Sequence, residues 1–264
     1  MSNSIHPSSV IDPKAKIADG VAIGPFCVIG PDVSIGRGTK LHSHVVVDGR
    51  TTIGEDNKIF PFASIGTQPQ DLKFHGEVTT LTIGDRNMIR EHVTMNPGTE
   101  GGGGKTVIGN DCLFMMASHV AHDCMIGNNV IMANNATLGG HVTLGDNAIL
   151  GGLSAVHQFV NVGAHVMIGG LSAVVNDVIP YGLVMGDRAH LAGINLVGLE
   201  RRGFPREDVS TLLKVFKDLF LGDGTFASRL DRIEKEHANT NLVSDVVNFA
   251  RAKSGRSLCM PAQK

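Results

Sequence analysis

The chain has 264 residues, a formal net charge of −2, 33 Gly, one Tyr and no Trp. A near-neutral chain lacks the electrostatic footprint of a nucleic-acid binder. No apolar run approaches the roughly 20 residues of a membrane helix, so no transmembrane segment is expected. The opening Met1-Ser2-Asn3-Ser4-Ile5-His6 lacks the basic and apolar regions of a signal peptide, and the expected location is cytoplasmic. Charge is unevenly spread: residues 188–264 hold 13 of the 23 Lys and Arg against 9 of the 25 Asp and Glu, a local +4 that leaves −6 on residues 1–187. Such a tail suits an acidic partner or anionic phosphates, and equally an ordinary charged helical surface.

An aliphatic residue recurs every sixth position from Ile5 through Ile11, Ile17 and Ile23 to Ile65. The same step runs from Ile108 through Phe114, Val120 and Ile126 to Val174. Gly often follows the aliphatic, as at Gly127, Gly139 and Gly145, and a small or β-branched residue stands four positions after it, as at Cys112, Ser118 and Cys124. This is the hexapeptide signature of a parallel β-helix, a mainly β fold with a thin aliphatic core. Cys27, Cys112 and Cys124 sit at the small inward position and read as reduced core thiols rather than disulfide partners.

Two stretches interrupt the repeat. The first, near 67–82, contains Gln70-Asp71-Leu72-Lys73-Phe74; loops this long within a regular solenoid carry function, and this one reads as a substrate flap. The second, near 97–107, contains Gly101-Gly102-Gly103-Gly104. It leads into a strand instead of a helix N-terminus, so it is no phosphate cradle, and it reads as a packing or subunit-contact loop. The β-helix is expected to close near Ile179-Pro180, with Tyr181 to Asn195 irregular. Domain limits are set at 1–187 for the β-helix and 188–264 for a C-terminal α-helical domain. Helices are expected at about Leu196–Arg202, after Pro205, at Thr225–His237 and at Leu242–Lys253. The helix after Pro205 has an apolar face of Val209, Leu212, Leu213, Phe216, Leu219 and Phe220.

Three hexapeptides make one 18-residue coil, and residues 18 apart stack at about 4.8 Å. His122, Gly140 and Gln158 then form one column; Asp123 and His141 form the next; Ala121, Gly139 and His157 form the one before. His119 lies just upstream. A His beside an Asp suits general-base work, and backbone N–H groups at Gly139-Gly140 can hold an oxyanion. No Ser or Cys pairs with this His, which favours direct transfer over a covalent acyl-enzyme. Three alternatives stand beside this reading. A three-His zinc site would make a lyase of the β-helix carbonic-anhydrase type. A plain β-helix would only scaffold a trimer. Single turn histidines such as His42 or His165 are simply solvated.

The segments His119-Val-Ala-His122-Asp123-Cys124, Ala133-Asn134-Asn135-Ala136-Thr137, Gly140-His141, Ala155-Val156-His157-Gln158-Phe159 and Gly198-Leu199-Glu200-Arg201-Arg202-Gly203-Phe204 resemble the UDP-N-acetylglucosamine O-acyltransferase family over nearly the whole chain. The resemblance implies a left-handed coil, a homotrimer with sites between subunits, and no cofactor. It implies the first step of lipid A synthesis, in which a 3-hydroxyacyl group passes from acyl carrier protein to the glucosamine 3-hydroxyl of UDP-N-acetylglucosamine. It makes His122 the base, Asp123 its orienter and the Gly140 N–H the oxyanion donor. His119, His141, His157 and Gln158 would line the sugar-nucleotide site, and Gln70, Asp71 and Lys73 would contact substrates from the first loop. Asn195, Arg201 and Arg202 would meet the nucleotide, and Gly170 would lie near the end of the acyl tail and admit a longer chain. Asn96, Arg188 and Val197 depart from the residues many members carry near the nucleotide, which leaves room for a 3-amino sugar acceptor. The related N-acyltransferase of the same pathway usually carries an extra N-terminal domain, whereas here the repeat begins at Ile5.

Overall fold

A computed structural model describes residues 2–237, 240–252 and 254–262. Two-residue strands at six-residue intervals stack into three parallel sheets, one per face of a left-handed triangular coil. The register is 18 residues per turn: His119 pairs with Thr137, Thr137 with Ala155, and Ala155 with Ala173. The sixth-position aliphatics point inward. Ile59, Ile89, Met132 and Leu150 are fully buried along the first face, each such side chain contributing about 1.5–3 kcal/mol. At one corner, polar residues at the inward position bond the next coil. Thr39 Oγ1 accepts from Asn57 N–H (3.1 Å), Asn57 Oδ1 from Asn87 N–H (2.8 Å), and Asn87 Oδ1 from Cys112 N–H (2.8 Å). All four cysteines are free and buried.

Most corners turn through a residue in the left-handed region. Non-glycine residues take it repeatedly, among them Asp123 (φ 59°), His141 (φ 63°) and Phe159 (φ 66°), which stack in one column. A bulky residue there costs of order 1–3 kcal/mol, and the ladder on both sides holds it in place.

Both insertions leave the same corner, between the second and third faces. The first joins Ser64–Ile65 to Thr80–Ile83, and the second joins Thr94–Met95 to Lys105–Ile108. Each loop is shorter than the sequence suggested, because Thr80-Leu81 and Lys105-Thr106 extend the following strands with a period-two burial pattern. The end of the coil also differs from expectation. Gly182–Met185 adds a parallel strand to the first face, and His190–Ile194 returns antiparallel beside it. The stretch from Tyr181 to Asn195 is therefore a hairpin, not irregular chain, and the 187/188 limit falls within its turn. The three strand edges at the C-terminal end of the coil are each covered. The hairpin closes the first face, Gly186 and Ala189 bond Ala173 on the second, and Leu258 bridges Asp177 on the third. Unpaired strand edges invite association, and this cover removes them.

Four helices follow: α1 (Leu196–Arg201), α2 (Arg206–Leu221), α3 (Phe226–Glu236) and α4 (Asn241–Arg251). On α2 the buried residues are Leu212, Val215, Leu219 and Phe220, while Val209, Leu213 and Phe216 are only partly buried. Val215 thus belongs to a stripe from which the sequence reading omitted it. The expected limit of the last helix at Lys253 lies outside the described residues. Among the described residues no helix is long and apolar enough to cross a membrane.

Candidate active site

The corner that carries both loops also carries the histidines. His119 opens a strand on the second face, and the turn after that strand sets His122 and Asp123 side by side. Asp123 Oδ2 accepts from His122 Nδ1 at 2.7 Å. The carboxylate is acceptor-only, so Nδ1 carries the proton and Nε2 keeps a lone pair. One coil above, Gly140 lies against the imidazole: a Cβ there would sit 2.4 Å from His122 Cε1 and 2.6 Å from Nε2. Only glycine leaves room for the ring. The Gly140 N–H has no acceptor among the described residues, leaving a backbone donor at the ring's edge.

Asp123 is the best-held group. Its side chain is 0% exposed. Oδ1 accepts from Thr99 N–H at 2.9 Å, and Oδ2 accepts from Thr99 Oγ1 at 2.6 Å as well as from His122. Its own N–H donates to Thr106 Oγ1 at 2.8 Å. The glycine-rich loop, expected to be a packing or subunit-contact element, is therefore wrapped over this carboxylate. Gly102 comes so near that a Cβ would lie 2.0 Å from Asp123 Cγ.

His141 meets His122 edge-on at 5.0 Å and stacks on Phe159 at 4.3 Å. Burial pushes its pKa down, against the pull of Asp123 upward. Burial likewise lowers His119, with the neighbouring His122 adding to the effect, and His119 Nδ1 lies 2.7 Å from Thr94 Oγ1. The first loop brings Asp71 Oδ2 to 3.9 Å from His122 Nε2. Lys73 and Gln70 stand exposed on that loop. Asp71, Lys73, Glu77, Thr99, His141 and Phe159 line part of a cleft of about 530 Å³. Asn96, buried in the coil, donates through Nδ2 to the carbonyls of Thr67 (3.0 Å) and Gln68 (3.2 Å); it anchors the root of the first loop.

His157 and Gln158 lie on the next coil of this edge. Arg256, from the C-terminal segment, donates to His157 Nδ1 at 2.7 Å and to the Gln158 carbonyl at 3.0 Å. A guanidinium only donates, so Nδ1 of His157 accepts and Nε2 carries its proton.

Asn195, Arg201 and Arg202 are not brought to His122 within one chain. Asn195 caps α1, accepting from Gly198 N–H, and donates to the His165 carbonyl. Arg202 donates to the Asn147 carbonyl at 3.2 Å. His165 and Asn147 stack at the corner between the third and first faces, one edge of the prism away from His122. Asn195, Arg201 and Arg202 line a separate groove of about 660 Å³ with Ile149, Met167 and Leu183. Gly170 stands at the remaining corner, above Gly152: a Cβ on it would lie 3.2 Å from the Gly152 carbonyl.

Sequence reasoning missed Thr99, Phe159 and Arg256 as members of the site. Phe159 was within reach, being 18 residues after His141. Thr99 and Arg256 lie in irregular segments with no period to follow.

The arrangement suits proton abstraction at His122 Nε2 beside an oxyanion donor. It suits zinc less well. His122, Asp123 and His141 have ligand atoms within 4.8 Å of one another, but both Asp123 oxygens already accept from Thr99, and two imidazoles converge where a three-His centre was considered.

Residues 14–49 and 105–140 match the bacterial transferase hexapeptide (six repeats) model, and residues 177–259 match domain 2 of the UDP-N-acetylglucosamine O-acyltransferase model. The chain is 52% identical over 261 residues to the acyl-[acyl-carrier-protein]–UDP-N-acetylglucosamine O-acyltransferase of Caulobacter vibrioides, covering 99% of both. It is 50% identical to the protein of that name from Azorhizobium caulinodans, covering 97% of this chain and 96% of the relative. The crystal structure of Francisella novicida UDP-N-acetylglucosamine acyltransferase superposes with a TM-score of 0.95 at 37% identity, over 98% of this chain and 95% of that one. The chain belongs to the acyl-[acyl-carrier-protein]–UDP-N-acetylglucosamine O-acyltransferase family.

Proposed function

We propose that the chain transfers a 3-hydroxyacyl group from acyl carrier protein to the glucosamine 3-hydroxyl of UDP-N-acetylglucosamine, the first step of lipid A synthesis, with His122 as general base. The observation that carries this reading is the 2.7 Å bond from His122 Nδ1 to Asp123, which leaves Nε2 as the basic nitrogen beside the free Gly140 N–H. His122 Nε2 takes the proton of the sugar hydroxyl as its oxygen bonds to the thioester carbonyl carbon. The Gly140 N–H holds the oxyanion of the tetrahedral intermediate, worth about 10²–10³ in rate for one such donor. Collapse breaks the C–S bond, and the imidazolium returns its proton to the departing thiolate. Asp123 keeps the tautomer and stabilises the imidazolium. No group of the protein needs to be acylated and no cofactor is required.

Asp71 and Lys73 stand where the first loop can meet the 3-hydroxyl of the acyl chain, with Gln70 beside them. His119, His141, His157 and Gln158 line the sugar-nucleotide side, and Arg256 adds a cation there. Asn195, Arg201 and Arg202 serve the nucleotide from a neighbouring copy in a homotrimer. Two observations favour that arrangement: these residues lie a full edge away from their own His122, and Leu72, at the tip of the first loop, is 100% exposed. Ile131, Ile149, Met167 and Leu183 form an apolar stripe in register on the outer side of the first face. That stripe suits an acyl tail crossing between copies toward Gly170. The enzyme acts in the cytoplasm, and its basic C-terminal region meets the acidic carrier protein.

The test is a mass-spectrometric transfer assay with UDP-N-acetylglucosamine, its 3-amino analogue and a panel of 3-hydroxyacyl carrier proteins. Wild type is expected to acylate the sugar nucleotide and His122→Ala to be inactive. Transfer by His122→Ala at the wild-type rate would remove His122 as base. Co-expression of His122→Ala with Arg202→Ala chains is expected to restore activity in mixed assemblies, and no restoration would place Arg202 in service of its own His122.

A further inference from the structure

We infer that Thr99, on the glycine-rich loop, is a positioning residue for the transfer reaction, holding the Asp123 carboxylate so that it presents one oxygen to His122 Nδ1. The inference rests on the reading of His122 as the base.

The geometry is specific. Thr99 supplies two donors to one carboxylate, its N–H to Oδ1 and its hydroxyl to Oδ2. That pair of contacts fixes the plane of the carboxylate, because rotation about Cβ–Cγ would break both. Oδ2 is the oxygen that also accepts from His122. The His122 ring is therefore aimed by a carboxylate that is itself aimed by Thr99. Without the hydroxyl, Asp123 can turn, and a buried anion loses a donor that water cannot replace. Gly102 supports the arrangement from the same loop. It sits so near the carboxylate that its lack of a side chain is what lets Thr99 reach. Close approach to a buried charge thus explains Gly102, while Gly103 (φ 93°) and Gly104 (φ 75°) take the left-handed region that favours glycine.

The experiment compares wild type, Thr99→Val and Thr99→Ser. Thr99→Val keeps the shape and the backbone donor while deleting the hydroxyl. It is expected to lower kcat about tenfold, the scale of one hydrogen bond to a charged group. KM for UDP-N-acetylglucosamine should stay within twofold. Thr99→Ser should restore the rate. Where Thr99→Val does not yield folded protein, Thr99→Ala repeats the measurement. Histidine-ring 15N NMR of the free protein supplies a readout that needs no turnover: His122 should be a single Nδ1–H tautomer in wild type and a mixture in Thr99→Val. An unchanged rate, a lowered rate with His122 still a single Nδ1–H tautomer, or a Thr99→Ser variant as impaired as Thr99→Val would each overturn the inference. Wild type that transfers nothing, with the NMR difference intact, would instead defeat the catalytic reading.

Discussion

Replacing Gly140 by Ala tests the stack on which the site depends. The new Cβ would lie 2.4 Å from His122 Cε1, where ordinary contact begins at 3.4 Å. The facing backbone belongs to the ladder and does not yield, so the ring must retreat by about 1 Å. A displacement of that size costs roughly a hundredfold in rate, about 2.7 kcal/mol of barrier. Ala preserves the Gly140 N–H, so the loss would report the ring and not the oxyanion donor. The backbone of Gly140 is not left-handed, and Ala there reduces unfolded-state freedom by about 0.4–1 kcal/mol. That gain partly offsets the crowding, and Tm should stay within about 3 °C of wild type. The assay is steady-state transfer followed by mass spectrometry, with a thermal melt on the same sample. A rate within threefold of wild type would refute the reasoning, and so would a rate loss matched by a collapse in Tm, which would mean unfolding instead of a displaced base.

Gly102→Ala should be harsher on stability, because its Cβ would overlap the Asp123 carboxylate. Displacing the loop strips donors from a buried charge at about 1–3 kcal/mol, and differential scanning calorimetry should show Tm several degrees lower; an unchanged Tm would argue against a close-packed loop. His119 and His141 are held below the ordinary value of 6.5 by burial, while the unfolded chain titrates near it. The unfolded state therefore binds more protons below pH 6.5, so stability is full above that pH and declines as pH falls toward the folded values. NMR titration of the two rings checks this, and midpoints at or above 6.5 would contradict it. Gly170→Met should shorten the preferred acyl chain by filling the groove above Gly152; an unchanged preference across the carrier-protein panel would dismiss Gly170 as the limit of the tail.

Much of this molecule is legible along the chain because the β-helix makes contact a function of sequence separation. A period of six assigns the inward aliphatics, and a period of 18 assigns the columns. His122 under Gly140, and Asp123 under His141, can therefore be read without coordinates. Where the period lapses, that arithmetic ends. The nine residues between Met95 and Lys105 have no register, and nothing in them says that Thr99 turns back to a carboxylate 24 positions ahead. The hairpin from Gly182 to Ile194 escaped for a related reason: its pairing is antiparallel and carries a register shift, so the six-residue step does not mark it. Arg256 reaches His157 across 99 residues, by way of a C-terminal segment whose path is set by the edge it covers. The repeat alone determined the core, the corner and the histidine column. The orientation of the carboxylate, and the separation of Arg201 and Arg202 from that column, were decided by loops and helices whose positions depend on packing against a coil already formed.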